Sequence, residues 1–261
     1  MDLQLAGRTV FVSGSTQGIG FAIAALCANE GATVIINGRH EKGVDAALAR
    51  LREQNPTASA RGIAADFAVV GQVDDLLDRL GHVDVLINNV GLFDVAVFTE
   101  IDDAEWLRYF EVNLMGAVRL SRRLLPQMVE NGWGRIVFIG TESAVDVPGD
   151  MIHYGVTKAA ALALSNGLAK FTRGTEVTVN TVLGGPTYSD GVASTVEQIA
   201  ASQSVPAADL KDSLIRESSL IRRFIEPGEI AHLVAYLASP LSSATNGAAL
   251  RADGGVLPTV V

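Results

Sequence analysis

Cysteine is almost absent from this chain. The single Cys27 rules out an internal disulfide and leaves no cysteine cluster for zinc, so a reducing compartment is expected. Positive charge is also scarce. With 20 basic residues against 29 acidic ones, the formal charge is -9, and neither nucleic acid nor an anionic membrane is expected as a partner. No apolar run approaches the ~18 residues a membrane helix requires, and the N-terminus carries no basic-then-apolar leader. Internal repeats, low-complexity tracts and a Pro/Ser-rich linker are missing too. These absences leave a soluble, cytoplasmic protein, and 48% hydrophobic content over 261 residues provides for a sizeable core.

Seven strand-like runs are present: Thr9 to Val12, Thr33 to Ile36, Gly62 to Ala65, Val83 to Ile87, Arg135 to Ile139, Val177 to Val182 and Ala248 to Arg251. Helix-length segments separate them throughout, which predicts a parallel sheet with helices on both faces and one domain over residues 1–261. The exception is 187–223, a polar, Ser-rich excursion with helical patches at Val196 to Ala201 and Leu210 to Glu217. Its length within a compact domain predicts a lid over a substrate site.

The first strand runs into Ser13-Gly14-Ser15-Thr16-Gln17-Gly18-Ile19-Gly20 and then an Ala-rich helix. Glycines permit a tight turn and close backbone approach, and the helix N-terminus favours an anion, so this turn is expected to hold a dinucleotide phosphate. The second strand ends Asn37-Gly38-Arg39, where an NAD-binding chain would carry an acid for the ribose hydroxyls. No acid is there. Arg39 suits a 2'-phosphate, so NADP(H) is favoured over NAD(H), against the alternative of a solvated surface arginine. Asp66 ends the third strand, where it either accepts from an adenine amino group or caps the strand. Asn88-Asn89-Val90-Gly91 reads as a turn whose backbone lines the cofactor crevice. Asn113 interrupts a long amphipathic segment, Asp103 to Glu130, and marks a local break.

Tyr154 and Lys158 lie four residues apart at the head of an apolar helix, hence on one face. An ammonium beside a phenol favours the tyrosinate, which would make a proton donor usable near neutral pH. A surface Tyr and Lys on an amphipathic helix is the competing reading of that pair alone.

Taken together, Gly14 to Gly20, Asn88 to Gly91, Asn113, Tyr154 with Lys158, Asn180 to Thr187 and Asp253-Gly254-Gly255 resemble the short-chain dehydrogenase/reductase family over essentially the whole chain. The resemblance implies a seven-stranded, doubly wound Rossmann sheet, a nicotinamide cofactor and interconversion of a small-molecule carbonyl and its alcohol. Members close to this pattern are carbonyl or 3-oxoacyl reductases, commonly homotetramers, with a homodimer as the alternative. It further implies Tyr154 as general acid/base, Lys158 as the residue that tunes it and holds the nicotinamide ribose, and Asn113 in a proton relay. Pro186 and Thr187 would lie at the nicotinamide carboxamide, and no metal is called for.

The hydroxyl partner departs from the family pattern. The usual spacing lands on Thr141, with Ser143 two residues on, and strand alternation would put both on one side. Of the neighbouring residues, Glu142, Asp146, Met151 and His153 are expected to border the pocket, His153 more as a solvent or subunit contact. In the 187–223 excursion, Lys211, Arg216, Arg222 and Arg223 offer charge to an acidic substrate or carrier, but Asp190, Glu197, Asp209, Asp212 and Glu217 accompany them, and most of these charges read as a solvated face. Two other functions remain open: an NAD-dependent sugar or polyol dehydrogenase with Arg39 a bystander, and a non-catalytic nucleotide-binding regulator.

Overall fold

Strand residues alternate between two faces, so an all-parallel sheet flanked by helices must be apolar on both. The computed structural model, which describes residues 2–203 and 205–260, has that construction. Strands β1 (Thr9–Val12), β2 (Thr33–Gly38), β3 (Ala60–Ala64), β4 (Val85–Asn88), β5 (Trp133–Thr141), β6 (Glu176–Gly184) and β7 (Ala249–Ala252) form one sheet in the order β3-β2-β1-β4-β5-β6-β7. Every pairing is parallel.

The period of two divides each strand between two cores. Val10, Val12, Val34, Ile36, Val137 and Ile139 face α1 (Gly18–Asn29), α2 (Glu41–Gln54) and α9 (Pro227–Ala238). Phe11, Ile35, Ile136 and Phe138 face α3 (Val70–Leu80), α5 (Gly116–Glu130) and α6 (Ile152–Ala169). Cys27 is fully buried in the first core, and burial pushes its thiol up to about 12, which makes it inert.

The segment expected to break at Asn113 does so. Helix α4 (Asp103–Phe110) passes through a π-helical stretch, Glu111–Met115, before α5 begins, and Asn113 lies inside that stretch. The excursion carries α7 (Asp190–Gln203) and α8 (Ala207–Ser213), so its second helical patch stops four residues short of Glu217. Thr187 bridges Ile225, closing the excursion at its base.

The chain order reverses between β1 and β4, its neighbour in the sheet. At such a point the connections leave to opposite sides and open a crevice beyond the carboxyl ends of the strands.

Candidate active site

The glycine-rich turn crosses this crevice, and three strands hold it. Gly14 and Gly18 have φ of 62° and 58°, a region that favours glycine. Gly14 N donates to Asn37 Oδ1 at 3.0 Å, while Asn89 Nδ2 donates to the Ser13 and Gly14 carbonyls at 3.0 and 2.9 Å. The Ser13 hydroxyl accepts from Asn89 N at 2.9 Å. A Cβ at Gly20 would run into the Gly14 carbonyl oxygen, so the turn lies directly on the helix start.

Within the turn, Ser15 differs from its neighbours. Its hydroxyl donates to Val12 O at 2.7 Å and accepts from Asn37 N at 3.0 Å, and its own N–H donates to Asn37 O at 2.7 Å. All its polar groups therefore face the sheet rather than the crevice. Thr16 packs toward Gly38, while Gln17, Gly18, Ile19 and Gly20 line the crevice. Asn37 escaped the sequence reading, although a polar residue closing an apolar strand was a usable signal.

A Cβ at position 38 would collide with the Thr16 methyl, which is a physical reason for the missing acid. Arg39 follows, exposed. Asp66 Oδ1 accepts from Ala68 N at 2.9 Å, a local turn in the loop between β3 and α3.

On the far side of the crevice, Lys158 is buried and its Nζ donates to Ile139 O at 2.9 Å. That Nζ lies 3.1 Å from where a Gly91 Cβ would be, so a side chain at 91 would crowd the ammonium. Burial lowers the Lys158 pKa to about 8. Asn113 takes Leu92 N at 2.6 Å and donates to Leu92 O and Thr157 Oγ1, each at 3.0 Å. Its amide thereby links the π-helical stretch to the loop after β4 and to α6.

Tyr154 reverses one expectation. Its phenolic end is deep and its pKa is raised, first by burial and further by the Glu142 charge, with a hydrogen bond to Thr141 acting the other way. The Lys158 Nζ sits 5.9 Å from the ring centroid and donates to a carbonyl instead. Desolvation of the phenol thus outweighs the ammonium.

Thr141, the last residue of β5, is the hydroxyl that counters the burial of the Tyr154 phenol, and its own proton goes to Glu142 Oε2 at 2.5 Å. Ser143 lies in the 3₁₀ turn Glu142–Ala144, so strand alternation does not reach it; its Oγ donates to Glu142 Oε1 at 3.2 Å.

These groups share a chamber of about 520 Å³ that extends from Gly14 to Thr187. Phe93, Val95, Met151, Leu214 and Phe224 wall it, with Pro186 and Thr187 at one edge. The Thr187 hydroxyl donates to Gly185 O at 2.8 Å. Glu142 and Met151 line the chamber as expected, but Asp146 and His153 do not. His153, expected at solvent or a subunit contact, is 1% exposed and packs 4.1 Å from the Tyr109 ring, because it lies on the buried side of α6. Two excursion residues have partners at the chamber, Arg216 half-buried and Asp190 still exposed. Arg216 Nη2 lies 3.2 Å from Glu142 Oε1, and Asp190 Oδ2 accepts from Gly18 N at 2.8 Å.

Residues 14–257 match the family model described as enoyl-(acyl carrier protein) reductase, and this match spans both the turn and the Tyr154 helix. The chain belongs to the short-chain dehydrogenase/reductase family. Within that family it is 44% identical, over all of both chains, to an uncharacterized oxidoreductase of Bacillus subtilis, YvaG. L-sorbose reductase from Gluconobacter frateurii, solved with NADPH and L-sorbose, superposes with a TM-score of 0.94 at 30% identity over all of both chains. An actinorhodin polyketide ketoreductase solved with NADPH superposes at 0.87, with 31% identity over 97% of this chain and 98% of the other. This short-chain dehydrogenase/reductase is therefore an oxidoreductase acting between alcohol and carbonyl groups. Among the described residues no helix is long and apolar enough to cross a membrane, and no three acidic, His or Cys side chains could hold a metal.

Proposed function

We propose that this oxidoreductase uses NADP(H), with Tyr154 as general acid/base, to interconvert a ketone and a secondary alcohol beneath the 187–223 lid. The observation that carries the reading is the convergence of Thr141, Tyr154 and Lys158 on one wall of the chamber whose other end is the glycine-rich turn.

The residues fit a nicotinamide dinucleotide. The turn leaves backbone N–H groups at the start of α1, where an anion is favoured, and position 38 has no room for an acid. Arg39 at the crevice edge suits a 2'-phosphate. When bound, the nicotinamide supplies or accepts hydride. Tyr154 donates its phenolic proton to the carbonyl oxygen as charge develops there, and takes the proton back in the alcohol-forming direction reversed. Thr141 holds the phenol in place, and Lys158 brings positive charge to a site that must stabilise a phenolate. Asn113 keeps the Leu92 loop and α6 in register around them.

The test is initial NADPH and NADH oxidation against short diketones, 3-oxoacyl thioesters, aromatic ketones and sugars. NADPH-preferring turnover that drops ~10²–10⁴-fold in Tyr154→Phe is expected. Arg39→Ala is expected to erode the NADPH preference ~10-fold or more, the worth of one charged hydrogen bond. An unchanged preference would leave Arg39 a bystander.

A further inference from the structure

One charged pair in the chamber has been given no substrate role so far. Glu142 is 3% exposed, between the Thr141 hydroxyl and the excursion. Its Oε2 accepts from Thr141 Oγ1 at 2.5 Å and its Oε1 accepts from Ser143 Oγ at 3.2 Å. Arg216, whose side chain is 35% exposed, adds an ionic contact at 3.2 Å to the same Oε1. Removing a carboxylate from water costs several kcal/mol, and one ion pair with a half-open partner offsets that only partly. A closure staple would serve equally well on the rim, where desolvation is small.

Hydrogen-bonding capacity narrows what the pair can do. A carboxylate has about four acceptor positions, and Glu142 fills two with hydrogen bonds and faces Arg216 with a third. A guanidinium has five N–H donors, and among the described residues Arg216 makes only the ionic contact to Glu142. The pair therefore presents donors and a spare acceptor beside Thr141, in a chamber that Phe93, Val95, Met151, Leu214 and Phe224 also wall. An alkyl group there would bury these groups unsatisfied, and a substrate carboxylate would set a second negative charge against Glu142. A hydroxyl both donates and accepts.

We propose that Glu142 and Arg216 form a specificity site that reads a hydroxyl on carbon next to the reacting carbonyl. The substrates are then hydroxylated ketones and the matching polyols, not plain alkyl ketones or oxo acids. The proposal rests on the Tyr154 reading above, and because Arg216 belongs to the excursion, substrate hydroxyls would help hold that segment over the chamber.

The experiment compares kcat/KM for erythrulose, butan-2-one and 2-oxobutyrate with NADPH in the wild type, Glu142→Gln and Arg216→Leu. Melting curves check that each variant is folded. The wild type is expected to favour erythrulose over butan-2-one at least ~100-fold, as a site built to bond a hydroxyl rejects the analogue lacking it. That ratio is expected to fall at least ~10-fold in each variant. A wild type that takes butan-2-one or 2-oxobutyrate as well as erythrulose overturns the proposal, and so do variants that slow all three substrates alike. Saturation-transfer NMR with NADPH present reads binding separately. Erythrulose binding that Arg216→Leu abolishes, without Tyr154-dependent turnover, would sink the catalytic reading and keep the specificity site. Equal binding of erythrulose and butan-2-one would sink the site whatever the turnover.

Discussion

Thr141 and Ser143 both donate to Glu142, at 2.5 and 3.2 Å, but only Thr141 bears on the Tyr154 phenol, acting against the rise that burial imposes. Thr141→Ala is accordingly expected to lower kcat about 100-fold, in the range of one lost site hydrogen bond, and Ser143→Ala to lower it far less. Steady-state kinetics on the two variants decides between them. Lys158 carries a second residue-level consequence. Its pKa is lowered to about 8 from 10.5, so below pH 8 the ammonium is charged in both folded and unfolded chains and the folded state bears the whole desolvation cost. The unfolded chain binds the extra proton between those two values, hence stability rises with pH across that window. Lys158→Met should abolish turnover yet unfold at higher urea at pH 7, by about 1–3 kcal/mol, with the gap closing toward pH 10.

At the scale of elements, the start of α7 lies against the start of α1. Asp190 is the first residue of α7, its carboxylate accepts from Gly18 N, and the Arg50 guanidinium stands 4.0 Å from the same oxygen. A carboxylate at that N–H occupies the kind of position a phosphate would take at a helix N-terminus. Binding a dinucleotide there has to displace it, and a contact made only in the unliganded state lowers apparent affinity. Asp190→Ala is expected to tighten NADPH binding about 3- to 10-fold, the worth of one charged hydrogen bond, in a fluorescence titration without substrate. Unchanged or weaker binding would mean that the contact does not compete.

Across the whole molecule, chemistry and support sit at opposite ends of the sheet. Thr141 is at the carboxyl end of β5, while Arg135, near its start, is 1% exposed. The Arg135 guanidinium donates to Ser239 O at 3.1 Å, Gly134 O at 2.9 Å and Glu176 O at 2.6 Å, and burial lowers its pKa to about 10. It ties β5 to β6 and to the end of α9. Arg135→Ala should therefore cost about 3 kcal/mol in urea denaturation by stranding buried carbonyls, with kcat of the folded enzyme preserved.

The strands, their parallel sense and the helices on both faces were legible in the sequence because burial on both sheet faces imposes continuous apolar runs, here separated by helix-length segments. Gly14 to Gly20 and the Tyr154 and Lys158 pair were legible for a similar reason: a tight turn and a shared helix face are local properties of consecutive residues. Folding alone decided that Ser15 turns inward to β2, that His153 is buried against Tyr109, and that Arg216 and Asp190 find partners in Glu142 and Gly18. It also decided that the Tyr154 pKa goes up and not down. Those outcomes depend on which groups lie within a few ångströms through space, and the partners come from parts of the chain whose spacing carries no periodic signal. Local pattern set which face each residue presents; packing of distant segments set which charge, hydroxyl or carbonyl it meets there.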